Sequence, residues 1–298
     1  MLKNWKTAEA LTALTLTVLA SLLAGRMAWQ YGWTAIFESR GLLSLALLTL
    51  AYLMAVQFFA RHEQASEFWR YWTYLGVILL GYISIGLVLR EFPQPSYEKE
   101  LRLFDQMLGA DVYRWAGQGL PRWLSELFGL GYLFYFPYCL GRAFMITTNG
   151  NEEQHERFFL GLTIAYSIGF LGYVLFPALG PRYAMGDSFM TDGSWLATAA
   201  VALVDRLGSP WAVMPSMHVG ATAYILFFDW FNHKRWFWAG LVPALLLWVA
   251  TMGLGFHYLV DVVTGLIVAW LSLTLTPLLP VWLPSAHQME HPVPLDKR

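Results

Sequence analysis

Charge is scarce in this 298-residue chain: Asp, Glu, Lys and Arg together make up 13%, against roughly 25% in a soluble domain. A surface that meets water on every side cannot be built from so few ionic groups. The charges present nearly cancel, to a formal -1, which excludes the basic surface that nucleic acid requires. Cysteine is almost missing too. The single Cys139, set in an apolar run, excludes an internal disulfide and says nothing about redox compartment. In place of charge stand 57% hydrophobic and 17% aromatic residues. Arranged in long apolar runs, they define an all-α integral membrane protein, because a helix satisfies its own backbone in hydrocarbon.

Eight runs approach the ~20 residues that a bilayer core requires: 8–25, 41–60, 71–89, 123–140, 158–179, 218–231, 236–253 and 257–279. The first follows Lys3 and Lys6 like a signal peptide. No small-residue cleavage site closes it, so it reads as a retained helix. Pro137 interrupts the fourth run, which is tolerable where neighbouring helices satisfy the freed backbone groups. The sixth is short unless Val213 to Met217 contributes. Two stretches break the pattern. In 97–109, Leu101, Phe104, Met107 and Leu108 recur with charges between them, as in an amphipathic helix at the lipid interface, although a plain surface helix shows the same pattern. Residues 195–207 form a second such stretch.

The short basic loops, RHEQASEFWR at 61–70 and NHKR at 232–235, mark the cytoplasmic side together with the DKR tail. Span parity then places Arg182, His218 and His257 together on the opposite side. His257 and Asp261 are spaced i, i+4, which puts both on one helix face, about 6 Å apart at their Cβ atoms. A carboxylate there can fix the imidazole tautomer and leave the other nitrogen free as nucleophile or base. Taken alone, the pair also fits a buried couple that satisfies itself, or half of a metal site. PSMH at 215–218 reads as a helix start with Ser216 as N-cap, an anion-binding terminus with His218 one turn in. An ordinary capped helix with an interfacial histidine reads the same way. Arg182 alone would be an interfacial anchor, yet its planar fork suits phosphate oxygens. Asp187 and Asp192 could read a polyol headgroup or be solvated loop acids. The aromatic run 132–138 and the amphipathic helix near Leu101 could form a lipid entry face, although aromatic belts are usual at any interface. Together, one arginine, an anion-binding helix end, two histidines and an aspartate describe phosphoryl transfer without a metal.

FPALGPRY with Arg182, PSMH, and HYLVD at 257–261 resemble the three ordered motifs of the type-2 phosphatidic acid phosphatase superfamily. The resemblance implies a six-helix phosphatase-like core within about eight transmembrane helices, flanked by interfacial amphipathic helices. It also implies roles: His257 as nucleophile, Asp261 orienting it, His218 protonating the leaving group, Arg182 and Ser216 binding phosphate. Departures accompany it. Leu175 stands where the lipid phosphatases have lysine, proline precedes Arg182 instead of following it, Met217 replaces glycine, and Ala250 and Thr251 replace Ser-Arg. A pocket short of two cations holds a free phosphate dianion less well. The PSM version and the upstream run LFDQMLGADVYRWAGQGLPRWLSELFGLGYLFYFPY, beginning near Leu101, are similar to the inositol phosphorylceramide synthase branch.

That branch implies a lipid phosphotransferase, with a phospholipid donor and a lipid or water acceptor as partners and no cofactor. A lipid phosphate phosphatase would use the same site with water. A lipid transporter would also carry polar residues at helix ends, but would not need the ordered trio. The expected organisation is 1–95 as N-terminal transmembrane helices, 96–284 as the catalytic unit and 285–298 as a disordered tail. The expected location is a bacterial inner membrane, with the site extracytoplasmic and both termini cytoplasmic. Because no metal is required by this chemistry, chelators should leave turnover unchanged; loss of activity in EDTA, restored by a divalent cation, would contradict it.

Overall fold

The computed structural model describes residues 5–62, 67–92, 95–112, 119–186 and 193–280, and every regular element among them is a helix. α1 (Thr7–Tyr31) leads through a short α2 (Thr34–Glu38) into α3 (Arg40–Arg61) and α4 (Glu67–Glu91). The amphipathic α5 (Glu98–Met107) follows, then α6 (Arg122–Leu133), α7 (Tyr135–Asn149) and α8 (Glu152–Leu175). A short α9 (Pro181–Met185) and α10 (Trp195–Leu207) precede α11 (Met217–Asn232), α12 (Lys234–Gly253) and α13 (Leu259–Leu275), which runs on into a 3-10 turn at Thr276–Leu278. Asp187, Asp192 and the tail 285–298 lie outside the described residues.

Six helices among the described residues, α1, α3, α4, α8, α12 and α13 with its 3-10 turn, are long and apolar enough to cross a membrane. The remaining two of the eight expected crossings take other forms. Residues 123–140 are not one span, because α6 stops at Leu133 and α7 begins at Tyr135. Pro137 has no N–H to give the carbonyl of Leu133, and its ring crowds that carbonyl, so the ladder ends there. α11 has 16 residues, and Val213 to Ser216 before it are not helical.

α8, α11 and α13 pack on one another at the centre, α6 lies against α12 and α10, and the N-terminal helices join this unit through α1 and α4 on α8. Phe158, Tyr224 and Phe228 pack in tilted and edge-on pairs in the shared interior. The outward surface is apolar: Leu43, Phe58, Leu80, Val242, Ile267 and Trp270 are all exposed. A soluble protein rarely presents so much contiguous apolar surface, and a bilayer covers it without cost.

Charge is confined to the ends of the bundle. At the end away from His218, the Lys6 ammonium lies 2.6 Å from Glu156 and 3.1 Å from Glu67, and so ties α1 to α8 and α4. Arg70 grips Glu9 with two hydrogen bonds. Glu67, Glu152 and Glu156 converge within 4.8 Å, a carboxylate cluster that no sequence spacing revealed. The Lys6 ammonium already pairs with two of the three, which makes the cluster an ion-pair network. Arg142 on α7 holds Asp229 on α11 by two hydrogen bonds, with Asp229 fully buried. Removing one partner of such a pair strands a charge in low dielectric and costs about 3–5 kcal/mol. Arg142→Ala should therefore lower the thermal midpoint in detergent well below that of Arg142→Met/Asp229→Leu, which removes both charges; equal midpoints would contradict this.

Candidate active site

The site forms where α11 and α13 begin side by side. The Ser216 N–H donates to the Asp261 carbonyl at 3.0 Å, which links the two helix starts through backbone. Gly265, one turn after Asp261 on α13, permits this approach, since a Cβ there would sit 2.5 Å from the Ser216 carbonyl oxygen. Upstream of α13, Gly255 adopts a left-handed φ of 73° that ends α12. The Phe256 and His257 N–H groups then both donate to the Thr251 carbonyl, at 2.9 and 3.1 Å. His257 is thereby held in a tight turn just ahead of α13.

The Arg182 segment is stitched onto the same turn. The Arg182 N–H donates to the Gly255 carbonyl at 2.7 Å, and the Tyr258 hydroxyl donates to the Leu179 carbonyl at 3.1 Å. Gly180 is needed here, because a Cβ would stand 2.6 Å from the Phe256 carbonyl. The Ala178 and Gly180 N–H groups reach the Trp211 and Pro210 carbonyls, which adds the chain leading to PSMH. Three segments distant in sequence therefore share one backbone hydrogen-bond network.

Within it, His218 Nδ1 lies 3.3 Å from His257 Nε2, and His257 Nδ1 lies 3.5 Å from Asp261 Oδ2. His257 is 3% exposed and Asp261 0%. Asp261 Oδ2 also accepts from the Tyr258 N–H at 2.8 Å, which fixes the carboxylate in the first turn of α13. A carboxylate on the Nδ1 side favours the proton there and leaves the lone pair on Nε2, the atom that faces His218. Ser216 occupies the N-cap of α11 as the sequence indicates, but its hydroxyl makes no capping bond. Among the described residues, neither Ser216 Oγ nor Asp261 Oδ1 has a hydrogen-bond partner, although both are buried. Burial pulls the Arg182 guanidinium below its ordinary value, and an arginine remains charged at neutral pH regardless. Its backbone belongs to the site through the Gly255 bond.

Several neighbours were not legible as site residues. The rings of Tyr132 and Tyr135 flank His218, with centroids 4.8 and 4.6 Å from its own. They line a mostly apolar cavity of about 350 Å³ that His218 also borders and that extends along α4 past Gly76 and Leu79. Asp105 on α5 accepts from the Leu259 and Val260 N–H groups at the start of α13. The sequence departures also have local counterparts. The Met217 side chain fills space that Gly169 leaves open, and Thr251 is fully buried, its hydroxyl donating to the Trp248 carbonyl.

The PAP2 superfamily model matches residues 99–275, more than half of the chain, and that span holds Arg182, Ser216, His218, His257 and Asp261. The chain belongs to the PAP2 superfamily. Like the family, it is an all-α integral membrane protein. This PAP2 protein is similar to a phosphoinositol dihydroceramide synthase of Bacteroides thetaiotaomicron, 23% identical over 178 residues that cover 54% of this chain and 56% of that protein. The match spans only about half of that relative's length. No solved structure matches it.

Gly265 tests whether the helix crossing governs the site. Gly265→Ala inserts a methyl against backbone that cannot swing aside, and a shift of about 1 Å at a reacting centre can cost ~10²-fold. Turnover by Gly265→Ala should fall at least tenfold while the protein remains folded in detergent; wild-type turnover would show that the crossing has slack.

Proposed function

We propose that this PAP2 protein is a membrane-embedded lipid phosphotransferase that moves a phospho-headgroup from a phospholipid to a lipid hydroxyl through a phosphohistidine, without a metal. The observation that carries the reading is the ordered contact of His218, His257 and Asp261 at a buried helix crossing. In the first step His257 Nε2 attacks phosphorus, and a P–N bond forms as the P–O bond to the lipid alcohol breaks. His218 donates its proton to the departing oxygen. In the second step the acceptor hydroxyl loses its proton to His218 and attacks phosphorus, and the P–N bond breaks. His257 Nε2 regains its lone pair. Arg182 and the start of α11 at Ser216 serve the non-bridging oxygens as charge develops. Asp261 keeps the nucleophile in the correct tautomer.

Two observations favour lipids on the alcohol side and transfer over hydrolysis. The cavity beside His218 is apolar, so the group whose oxygen His218 serves is one that prefers hydrocarbon. Leu175, half exposed at the end of α8, and Thr251, buried in the last turn of α12, supply no cation where a monoester dianion would ask for two. A lipid phosphate phosphatase with water as acceptor is the second reading, since the same residues would serve it. We further place residues 96–284 as the catalytic unit, with 1–95 packed against it, and the site on the extracytoplasmic side of a bacterial inner membrane.

Purified protein incubated with headgroup-labelled phospholipids, with and without ceramide or diacylglycerol, separates these readings. A labelled new lipid that requires the acceptor is the expected product; water-soluble labelled headgroup phosphate released equally without an acceptor would favour the hydrolase. His257→Ala should lose more than about 99% of turnover, because removing a nucleophile ordinarily costs far more than 10²-fold.

A further inference from the structure

The run that resembles the inositol phosphorylceramide synthases has no part in phosphoryl transfer as derived above, yet two of its carboxylates do the same structural work. Glu126 on α6 accepts from the Trp195 and Leu196 N–H groups, both at 2.8 Å, and so caps α10 from a distance of 69 and 70 residues. Asp105 on α5 accepts from Leu259 N–H through Oδ2 at 2.9 Å and from Val260 N–H through Oδ1 at 3.0 Å, across 154 and 155 residues. Each carboxylate spreads both oxygens over the first two N–H groups of a helix that begins elsewhere in the chain. The second helix is the one that carries Asp261.

The first three donors of that region are therefore all held by carboxylates. Asp261 takes the Tyr258 N–H, and Asp105 takes the next two. His257 is attached directly to this clamped turn. Asp105 is 1% exposed, and burial pushes its carboxyl up to about 6, against the two N–H donors that favour the ion, with the charges of Asp261 and Asp111 raising it further. A neutral cap would avoid that electrostatic cost, but an amide offers one acceptor oxygen where this geometry uses two.

The rest of α5 fits the same role. Leu101, one turn before Asp105 and on the same face, packs with Ala178, Val213 and Tyr258, one residue from each of the three segments that build the site. Leu103, Phe104, Met107 and Leu108 are exposed on the same helix and its end, in a protein whose exposed apolar surface meets lipid. α5 lies across the three segments as a strap, and Asp105 attaches it to the nucleophile's helix.

We propose that Asp105 is a positioning residue of the phosphoryl-transfer site, whose carboxylate sets the start of α13 and thereby the place of His257 Nε2 relative to His218. This rests on the reading of His257 as nucleophile given above. Asp105 touches neither histidine and acts only through the helix start.

The test compares full-length wild type with Asp105→Asn, which keeps the shape and one acceptor, and Asp105→Ala, which removes both. With headgroup-labelled phospholipid, kcat should fall about tenfold in Asp105→Asn and about 10²-fold in Asp105→Ala, with KM changed less than about threefold. Orthovanadate should still raise the melting temperature of both variants, showing that the anion pocket remains assembled. In ¹⁵N-histidine spectra the ring signal of His257 should move in Asp105→Ala, while those of His62 and His233, remote from the site, stay in place. A kcat in Asp105→Ala within about threefold of wild type would overturn the proposal, and so would loss of the vanadate effect in both variants, which would make the role one of folding. If wild type binds vanadate but turns over no phospholipid, the functional reading fails, and the His257 signal alone decides the role of Asp105: a shift supports it and an unmoved signal overturns it.

Discussion

Everything at the site depends on two helices beginning at the same place. The Ser216 N–H on the Asp261 carbonyl joins the start of α11 to the start of α13, and Gly265 lets the backbones close to that distance. His218 rides on one helix and His257 on the turn before the other, so their ring nitrogens meet at 3.3 Å without either side chain having to reach. Rigid elements hold a reacting pair more tightly than loops can, and catalysis by a nucleophile and an acid needs that tolerance. The Arg182 segment enters the same arrangement through backbone bonds to Gly255 and Pro210.

The bilayer explains how the rest of the chain is disposed. With apolar surface outside, packing inside cannot rely on the hydrophobic effect alone, and the described residues show what supplements it. Glycines at 161, 169, 180 and 265 admit a neighbouring side chain or backbone, while buried ion pairs lock the bundle end farthest from the histidines. Lys6–Glu156 fastens α1 to the central α8, and Arg142–Asp229 fastens α7 to α11, the helix that presents His218. Among the described residues, Lys and Arg pair with Asp and Glu at one end of the molecule, and the chemistry occupies the other.

What could be read from the sequence followed from local spacing. Long apolar runs became helices because hydrocarbon leaves the backbone no alternative, and the i, i+4 spacing brought His257 near Asp261, although His257 lies in the turn ahead of α13 and not on its face. PSMH was legible as the beginning of a helix. The break at Phe134 was only half legible: Pro137 announced a disturbance, but whether it bends or ends the helix depends on neighbours that the sequence does not display. Asp105 was hidden for a different reason. Within its own helix it is one charge among several, and its partners lie more than 150 residues downstream. The same holds for Lys6, which resembled the basic flank of a first span and is instead the centre of a buried network. Tyr132 and Tyr135 belong to an aromatic run that reads as a lipid entry face or an ordinary interfacial belt, and they stand against His218 and line the apolar cavity.

The central claim is that the phosphoryl group is carried on His257 with His218 as the proton carrier. Rapid-quench labelling with a phosphorus-labelled donor lipid, followed by peptide mapping under alkaline conditions, observes that intermediate itself. The account predicts acid-labile, alkali-stable label on the peptide that contains His257, accumulating in His218→Ala if breakdown of the intermediate becomes slower than its formation. Label on any other residue, or steady turnover in which no labelled histidine forms, would contradict it.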